Sequence, residues 1–152
     1  MIVLTIITIL AVFVALQPII PTSAERFSEV GILGPQQTFA NYTKTIRENQ
    51  TFPLYGFVEN NQGVAEYYKL LVKLGNSSTV VSNSTSANAP ALSGYSIVLN
   101  DGQNSTFPMN LSINRTGTNL RLIFELWMFN VTTSSFAYTG LWDQLWINVT
   151  ST

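Results

Sequence analysis

The chain contains no cysteine and no histidine among its 152 residues. Without cysteine, disulfide bonds, thiolate metal sites and thiol chemistry are excluded, so a folded domain must be held together by its core. Without histidine, the commonest general base and the commonest metal ligand are missing. We therefore expect neither a metal nor a cofactor.

Charged residues are also scarce, at 10% of the chain, whereas an average soluble domain has about 25%. Seven basic and eight acidic residues produce no field that would attract nucleic acid, which we exclude as a partner. A glycosidase needs two facing carboxylates and a calcium site needs several oxygen ligands, and no spacing of the acids selects either arrangement. We expect no catalytic residues and no enzymatic activity.

A long apolar run opens the chain. Within residues 1–20 it is interrupted only by Thr5, Thr8, Gln17 and Pro18, and no charge precedes Glu25. A helix of this length covers about 30 Å, the thickness of the hydrocarbon core of a bilayer. We predict a transmembrane anchor helix over residues 1–22 that contacts membrane lipid.

Two alternatives for this segment stay open. Residues 22–24, Thr-Ser-Ala, resemble a signal-peptidase site, although the run lacks a basic start and is longer than the apolar part of a usual signal peptide. Thr5, Thr8 and Ala11 recur at a spacing of three, which suits packing against the helices of other membrane-protein subunits. Plain contact with lipid fits the same spacing.

Glycosylation triplets of the type Asn-X-Ser/Thr follow the apolar run. There are nine, and a few are expected by chance in a chain rich in Asn, Ser and Thr: Asn41, Asn49, Asn76, Asn83, Asn104, Asn110, Asn114, Asn130 and Asn148. Such triplets mark the surface of secreted chains. We therefore predict a single-pass protein of the cell membrane. Its short N-terminus lies on the inner side of the membrane, and the domain over residues 25–152 lies outside the cell.

Strand periodicity and turn signals dominate residues 25–152. Seven strands are predicted, at residues 26–33, 51–58, 64–74, 95–99, 107–113, 120–128 and 141–149. Residues 36–48 are predicted to be irregular, and residues 75–94 a long exposed connection. Asn60 to Gly63 indicates a turn, and Asp101-Gly102 a hairpin. This pattern is typical of an all-β fold, an antiparallel β-sandwich of immunoglobulin type.

Residue parity assigns side chains to the two faces of each strand. Inward positions are predicted on three strands: Val64, Tyr68, Leu70, Val72 and Leu74; Phe107, Met109, Leu111 and Ile113; Leu120, Leu122, Phe124, Leu126 and Met128. Lys73 and Glu125 are predicted to face outward, with Asn110 and Asn114 also outward. Pro53 predicts an edge strand or a strand start.

The tryptophans are the candidate partner-binding residues. Trp127 shares the parity of Arg121 and Glu125, and Trp146 shares that of Asn148, so both are predicted to point away from the interior. Trp127, Trp142 and Trp146 would then form an outer aromatic patch that docks a partner subunit. Burial of these side chains in the core is the alternative.

Five short segments resemble an archaeal membrane-protein family known as domain of unknown function 1616: residues 27–35, 40–42, 58–61, 122–126 and 145–149. The resemblance covers residues 26–149. It implies an immunoglobulin-like outer domain on an archaeal membrane, and it transfers no catalytic residues. A single N-terminal helix departs from the family pattern of several helices.

The leading expectation is a non-enzymatic, membrane-anchored envelope glycoprotein that serves as an accessory or structural subunit of a larger membrane complex. A glycosylated, pilus-like filament subunit is one alternative, although no Lys/Arg-Gly processing site precedes the apolar run. A secreted or anchored carbohydrate-binding module that uses the aromatic residues is the other.

Overall fold

A computed structural model describes residues 25–151, and the predicted anchor helix lies outside these residues. This part of the chain forms eight strands: β1 Phe27–Leu33, β2 Thr45–Arg47, β3 Phe52–Asn61, β4 Glu66–Gly75, β5 Ala91–Leu99, β6 Gln103–Leu111, β7 Gly117–Asn130 and β8 Ser135–Thr150. Residues 25–151 include no helical span with the length and hydropathy that crossing a bilayer requires.

The strands form two sheets that pack face to face. The smaller sheet has the order β1-β3-β6, and the larger has the order β2-β8-β7-β4-β5. All seven predicted strands are present. The eighth, β2, lies in the stretch predicted to be irregular and pairs in parallel with β8. Only Ile46 of β2 is buried, and one inward residue is too little for periodicity to detect.

The core lies between the sheets and consists of the alternating residues that parity selects. Leu70 and Val72 of β4 are buried against Leu122 and Phe124 of β7. Met109, Leu111 and Ile113 are also buried as predicted, with Asn110 and Asn114 exposed. Val64 was wrongly predicted to be inward: its side chain is 53% exposed, because it lies in the turn before β4.

Two predictions about connectivity are corrected. Pro53 does not mark an edge strand, since β3 is the central strand of its sheet. Pro53 does lie at the strand start. Because β1 pairs with β3 only from Tyr55 onward, the N–H that proline lacks is not needed for a hydrogen bond to β1. Asp101 and Gly102 do not form a hairpin: β5 pairs with β4 and β6 with β3, so this turn carries the chain between the sheets.

The sandwich has two ends, which we call proximal and distal. At the proximal end the chain passes from residue 25 into β1, and three turns lie beside this point, at residues 62–65, 100–102 and 131–134. Strand register places them there: Phe27 pairs with Asn61, Asn60 with Gln103, and Tyr68 with Met128. The distal end holds the end of β4 at Gly75 and the start of β7 at Gly117.

Asn60 organises the proximal end. Sequence signals placed it in a turn, but it is a fully buried residue of β3. Its Nδ2 donates to the carbonyls of Val64 and Leu99, both at 2.8 Å. Its Oδ1 accepts from the Gln62 N–H and the Tyr68 hydroxyl, both at 3.0 Å. One amide therefore ties the β3–β4 turn to the end of β5, with every polar atom satisfied.

Replacement of this amide tests its role. We expect Asn60→Ala to lower the free energy of unfolding by about 3 kcal/mol, because it leaves several buried groups without partners. The neighbouring Asn61→Ala removes one bond, to Glu59, and should change stability by less than about 0.5 kcal/mol. Urea unfolding compares the two variants, and equal losses would contradict the organising role of Asn60.

Candidate functional site: the outer face of the five-stranded sheet

The face of the larger sheet that points away from the core carries most of the chain's distinctive side chains. They come from β4, β7 and β8: Lys69, Lys73, Arg121, Glu125, Trp127, Tyr138, Trp142 and Trp146. Residues 76–90, which we call the strap, fold over the middle of this face. Residues 75–94, which include the strap, were predicted to be a long exposed connection, yet Ala87 within it is buried.

A buried ion pair lies beneath the strap. Nζ of Lys73 is 2.9 Å from Oε2 of Glu125, and the two side chains are 10% and 0% exposed. Nζ also donates to the carbonyl of Ala87 at 2.8 Å. The Ala87 N–H and the Trp127 indole N–H both donate to the Glu125 carboxylate. Parity placed Lys73 and Glu125 correctly on the outer face, but the expected exposure to solvent was wrong because the strap covers them.

Further contacts hold the strap along its length. The Tyr138 hydroxyl donates to the carbonyl of Ser82 at 2.8 Å, and Nη1 of Arg121 donates to the carbonyl of Thr79 at 2.7 Å. At Gly140, φ is +84° and a Cβ would collide with the Asn83 carbonyl, so only glycine fits there. The strap is therefore attached to the sheet at several separate points.

The three tryptophans point outward, as parity predicted for Trp127 and Trp146, but they differ in access. Trp127 is half-buried, with its ring 5.6 Å from that of Tyr138 and 5.6 Å from Nζ of Lys73. Trp142 and Trp146 flank the guanidinium of Arg121, with ring centroids 5.3 and 5.5 Å from its Cζ. Trp146 is 39% exposed.

Arg121 is fixed between these two rings. Its Nε donates to Oε1 of Gln144, while Nη1 reaches the strap at Thr79. A guanidinium between two indoles gains cation–π attraction of about 0.5–2 kcal/mol per ring, depending on how far it is desolvated. Trp142, Arg121 and Trp146, which we call the Trp–Arg–Trp stack, thus form a rigid and partly exposed surface.

Sequence reasoning missed a second aromatic group on the same face, nearer the proximal end. The ring of Tyr67 lies 5.0 Å from that of Phe136 and 6.0 Å from that of Phe129. Nζ of Lys69 sits 4.2 Å above the Phe136 ring. Strand register pairs Phe129 with Phe136, so the β7–β8 hairpin extends past the predicted strand ends at residues 128 and 141.

The asparagines of the glycosylation triplets lie at the surface. Eight of the nine are exposed. Asn148 is half-buried, and its Oδ1 accepts from the Asn119 N–H at 2.9 Å. By contrast, Asn60 lies outside any such triplet and is fully buried.

A cleft of about 290 Å³ opens between β1 and the β7–β8 hairpin at the proximal end. Phe27, Met128, Ala137 and Leu141 give it a mainly apolar lining. Ser28 in its wall shares a 2.7 Å hydrogen bond with the Tyr68 hydroxyl. Within residues 25–151, no three acidic side chains come together in a way that would hold a metal ion.

Residues 21–148 match a protein family described as Domain of unknown function (DUF1616). The chain belongs to this family. The predicted family resemblance is therefore confirmed. No curated protein matches the chain.

Solved structures similar to this DUF1616 domain establish its fold class. The CARDB domain of a Pyrococcus furiosus protein, solved in complex with di-metal ions, is 12% identical with a TM-score of 0.51; the match covers 84% of this chain and 90% of that one. A β-glucosidase from Listeria innocua, in complex with isofagomine, is 9% identical with a TM-score of 0.50. That match covers 84% of this chain but 16% of the glucosidase. At these identities the likeness concerns fold alone, and it confirms the predicted immunoglobulin-like sandwich.

The buried ion pair of the DUF1616 domain gives a quantitative prediction. Glu125→Met and Lys73→Met should each lower the free energy of unfolding by about 3–5 kcal/mol, because each leaves the remaining partner buried without its counter-charge. The double variant Lys73→Met/Glu125→Met should lose clearly less than the sum of the two.

Urea unfolding of the single and double variants measures this coupling. Lys69→Met is the matched control: its ammonium lies over an aromatic ring and has no carboxylate partner among residues 25–151, so we expect a loss below about 1 kcal/mol. Losses that simply add would show that Lys73 and Glu125 act independently.

Burial, followed by the nearby charge of Glu125, raises the pKa of Tyr138 to about 12 from its ordinary 10.0. Above pH 10 the unfolded chain therefore loses this proton before the folded chain does, and the free energy of unfolding falls until the pH reaches about 12. Burial also raises the pKa values of Tyr42 and Tyr68, which add to the same alkaline loss.

Tyr138→Phe isolates this contribution. We expect a loss of about 1 kcal/mol at neutral pH, from the hydrogen bond to Ser82, and a shallower fall in stability above pH 10 than in the unaltered protein. Urea unfolding between about pH 8 and about pH 11 measures both effects. An unchanged alkaline slope would show that Tyr138 does not contribute.

Proposed function

We propose that this chain is a non-enzymatic, membrane-anchored envelope glycoprotein that serves as an accessory subunit of a larger membrane complex on an archaeal cell. In this proposal residues 1–22 form the transmembrane anchor helix, and residues 25–152 form the outer domain. The family resemblance, the apolar composition of residues 1–20 and the exposure of eight triplet asparagines support it.

The Trp–Arg–Trp stack carries the proposal. Tryptophan and arginine are the residue types that contribute most to binding energy at protein interfaces. Here the Arg121 guanidinium is already fixed by Gln144 and the Thr79 carbonyl, so binding a partner costs little side-chain entropy. Trp127, by contrast, lies half-buried beside the strap and is expected to support the surface rather than contact the partner.

The position of the stack fits a role in docking. Trp146 pairs with Arg121, and Arg121 pairs with Gly75 at the last position of β4. The stack therefore lies toward the distal end, away from the point where residue 25 enters the domain. A subunit anchored by residues 1–22 would present this surface to a neighbouring outer domain.

A carbohydrate-binding module is the second candidate, favoured by one observation. Trp146 is 39% exposed, and Gln144 beside it on the same strand face is exposed as well. An exposed indole with a neighbouring amide is a surface on which a sugar ring can stack and form a hydrogen bond.

Trp146→Ala tests the proposal. The variant should fold and lose at most the cation–π attraction to Arg121, about 0.5–2 kcal/mol, because the side chain lies outside the core. It should nevertheless lose the membrane proteins that accompany the unaltered chain through mild-detergent extraction. Mass spectrometry of the extract identifies and counts these companions. Phe39→Ala is the control, since Phe39 is an aromatic residue that is 69% exposed elsewhere on the domain.

The other outcomes separate the alternatives. A Trp146→Ala variant that unfolds would show that this side chain belongs to the core. Unaltered protein that travels alone and binds to a glycan array would support the carbohydrate-binding module. Recovery of the chain in sheared fibres would support a filament subunit.

A further inference from the structure

Exposed apolar side chains are concentrated at the proximal end of the domain. Of the eight large hydrophobic residues that are exposed among residues 25–151, five lie at or beside this end: Phe27 (42% exposed), Val64 (53%), Tyr67 (40%), Val98 (64%) and Val131 (80%). They come from four separate chain segments, so no local sequence feature explains their convergence. The other three, Phe39, Val80 and Trp146, lie elsewhere.

The proximal turns that carry or adjoin these residues are held in place. The Gly63 N–H donates to Oδ1 of Asp101 at 2.7 Å, and the Gly102 N–H donates to the carbonyl of Asn60 at 2.7 Å. These bonds join the β3–β4 turn to the β5–β6 turn. Val64 and Val98 thus project from a fixed surface. The turn that carries Val131 is held locally, because Oδ1 of Asn130 accepts from the Thr132 and Thr133 N–H groups.

Aromatic rings and a cation border this surface. Tyr67 packs on Phe136 and Phe129, and Nζ of Lys69 lies over the Phe136 ring. Tyrosine and lysine with an apolar stem and a polar tip are the residues that settle at the interface between lipid and water. The proximal end therefore has apolar tips with an amphipathic border, the composition of an interfacial membrane contact.

The chain outside the described residues leads to the same end. The apolar run of residues 1–20 joins the domain at residue 25, directly before Phe27. We propose that the proximal end rests on the surface of the lipid bilayer, with Val131, Val98 and Val64 reaching into the interfacial region. This inference depends on the proposed membrane anchor for the nearness of the bilayer.

The charges at this end define the kind of lipid contact. Glu25, Glu29, Glu59, Glu66 and Asp101 outnumber Arg26 and Lys69 there. Attraction to anionic headgroups is therefore not the driving force, and burial of apolar side chains is. The contact should form on zwitterionic lipid and should persist at high salt.

The orientation also affects glycosylation. Asn130 lies next to Val131, at the tip of the β7–β8 hairpin. A hydrated glycan there would separate the hairpin from the bilayer, so we expect Asn130 to be one of the triplet asparagines that stay unmodified. Asn49, Asn114 and Asn148 lie toward the distal end and remain free to carry glycans.

The absence of cysteine permits a direct test with single labels. Val131→Cys and Val98→Cys are labelled with the fluorophore NBD, and the full-length chain is reconstituted in phosphatidylcholine vesicles that contain doxyl-labelled lipid. Val80→Cys is the matched control. Val80 is 71% exposed but follows the distal end of the ten-residue strand β4, which spans about 30 Å.

We expect blue-shifted emission and severalfold stronger doxyl quenching at positions 131 and 98 than at position 80, in both low and high salt. Extraction with alkaline carbonate tests the anchor separately. A chain that stays in the membrane while all three labels report water would overturn the bilayer contact and leave the anchor intact. A chain that is extracted while labels 131 and 98 still report lipid would overturn the anchor alone. A glycan on Asn130 would contradict the contact.

Discussion

The ion pair between Lys73 and Glu125 determines which surfaces of this domain are available. A carboxylate with no solvent exposure is stable only when its charge and its lone pairs are satisfied. Glu125 receives the Lys73 ammonium, the Ala87 N–H and the Trp127 indole N–H. Because the Ala87 N–H and carbonyl both contact this ion pair, the strap lies across the centre of the five-stranded sheet. The strap then covers part of one tryptophan and leaves the Trp–Arg–Trp stack accessible on one side and the aromatic group around Tyr67 on the other.

The domain is held together without disulfide bonds and without cysteine or histidine metal ligands, because the chain contains neither residue type. Side-chain hydrogen bonds close it at two separate places. Asn60 satisfies four polar groups at the proximal end and so fixes the turn that carries Val64 and the end of β5 beside Val98. At the other edge of the sandwich, Oδ2 of Asp143 accepts from the Ile32 N–H at 3.2 Å, and the Tyr42 hydroxyl donates to the Ile32 carbonyl at 2.7 Å. Few polar side chains thus serve as links between the sheets, and each of these is placed where backbone groups lack ladder partners.

Strand periodicity predicted most of the fold. Runs such as 120–128 alternate so regularly that the inward positions of Leu122, Phe124 and Leu126 follow from parity alone, and all three are fully buried. The errors arose where an irregular segment changed the environment of a correctly oriented side chain. Lys73 and Glu125 point outward as predicted, but no local pattern shows that residues 76–90 return over them. Asn60 was interpreted as a turn residue because Asn-Asn-Gln-Gly is a turn signal, and its burial depends on contacts from β4 and β5.

The sequence by itself determined seven of the eight strands and most of the faces on which their side chains lie, because alternation along a strand is a property of local backbone geometry. Its short motifs also indicated the family. It also showed that thiol chemistry is excluded, since the residues it needs are missing. The tertiary structure decided which outward side chains meet solvent and which segments share an end of the sandwich. Both depend on contacts between positions far apart in the chain, such as Lys73 with Glu125 and Gly63 with Asp101, and no local pattern records those contacts.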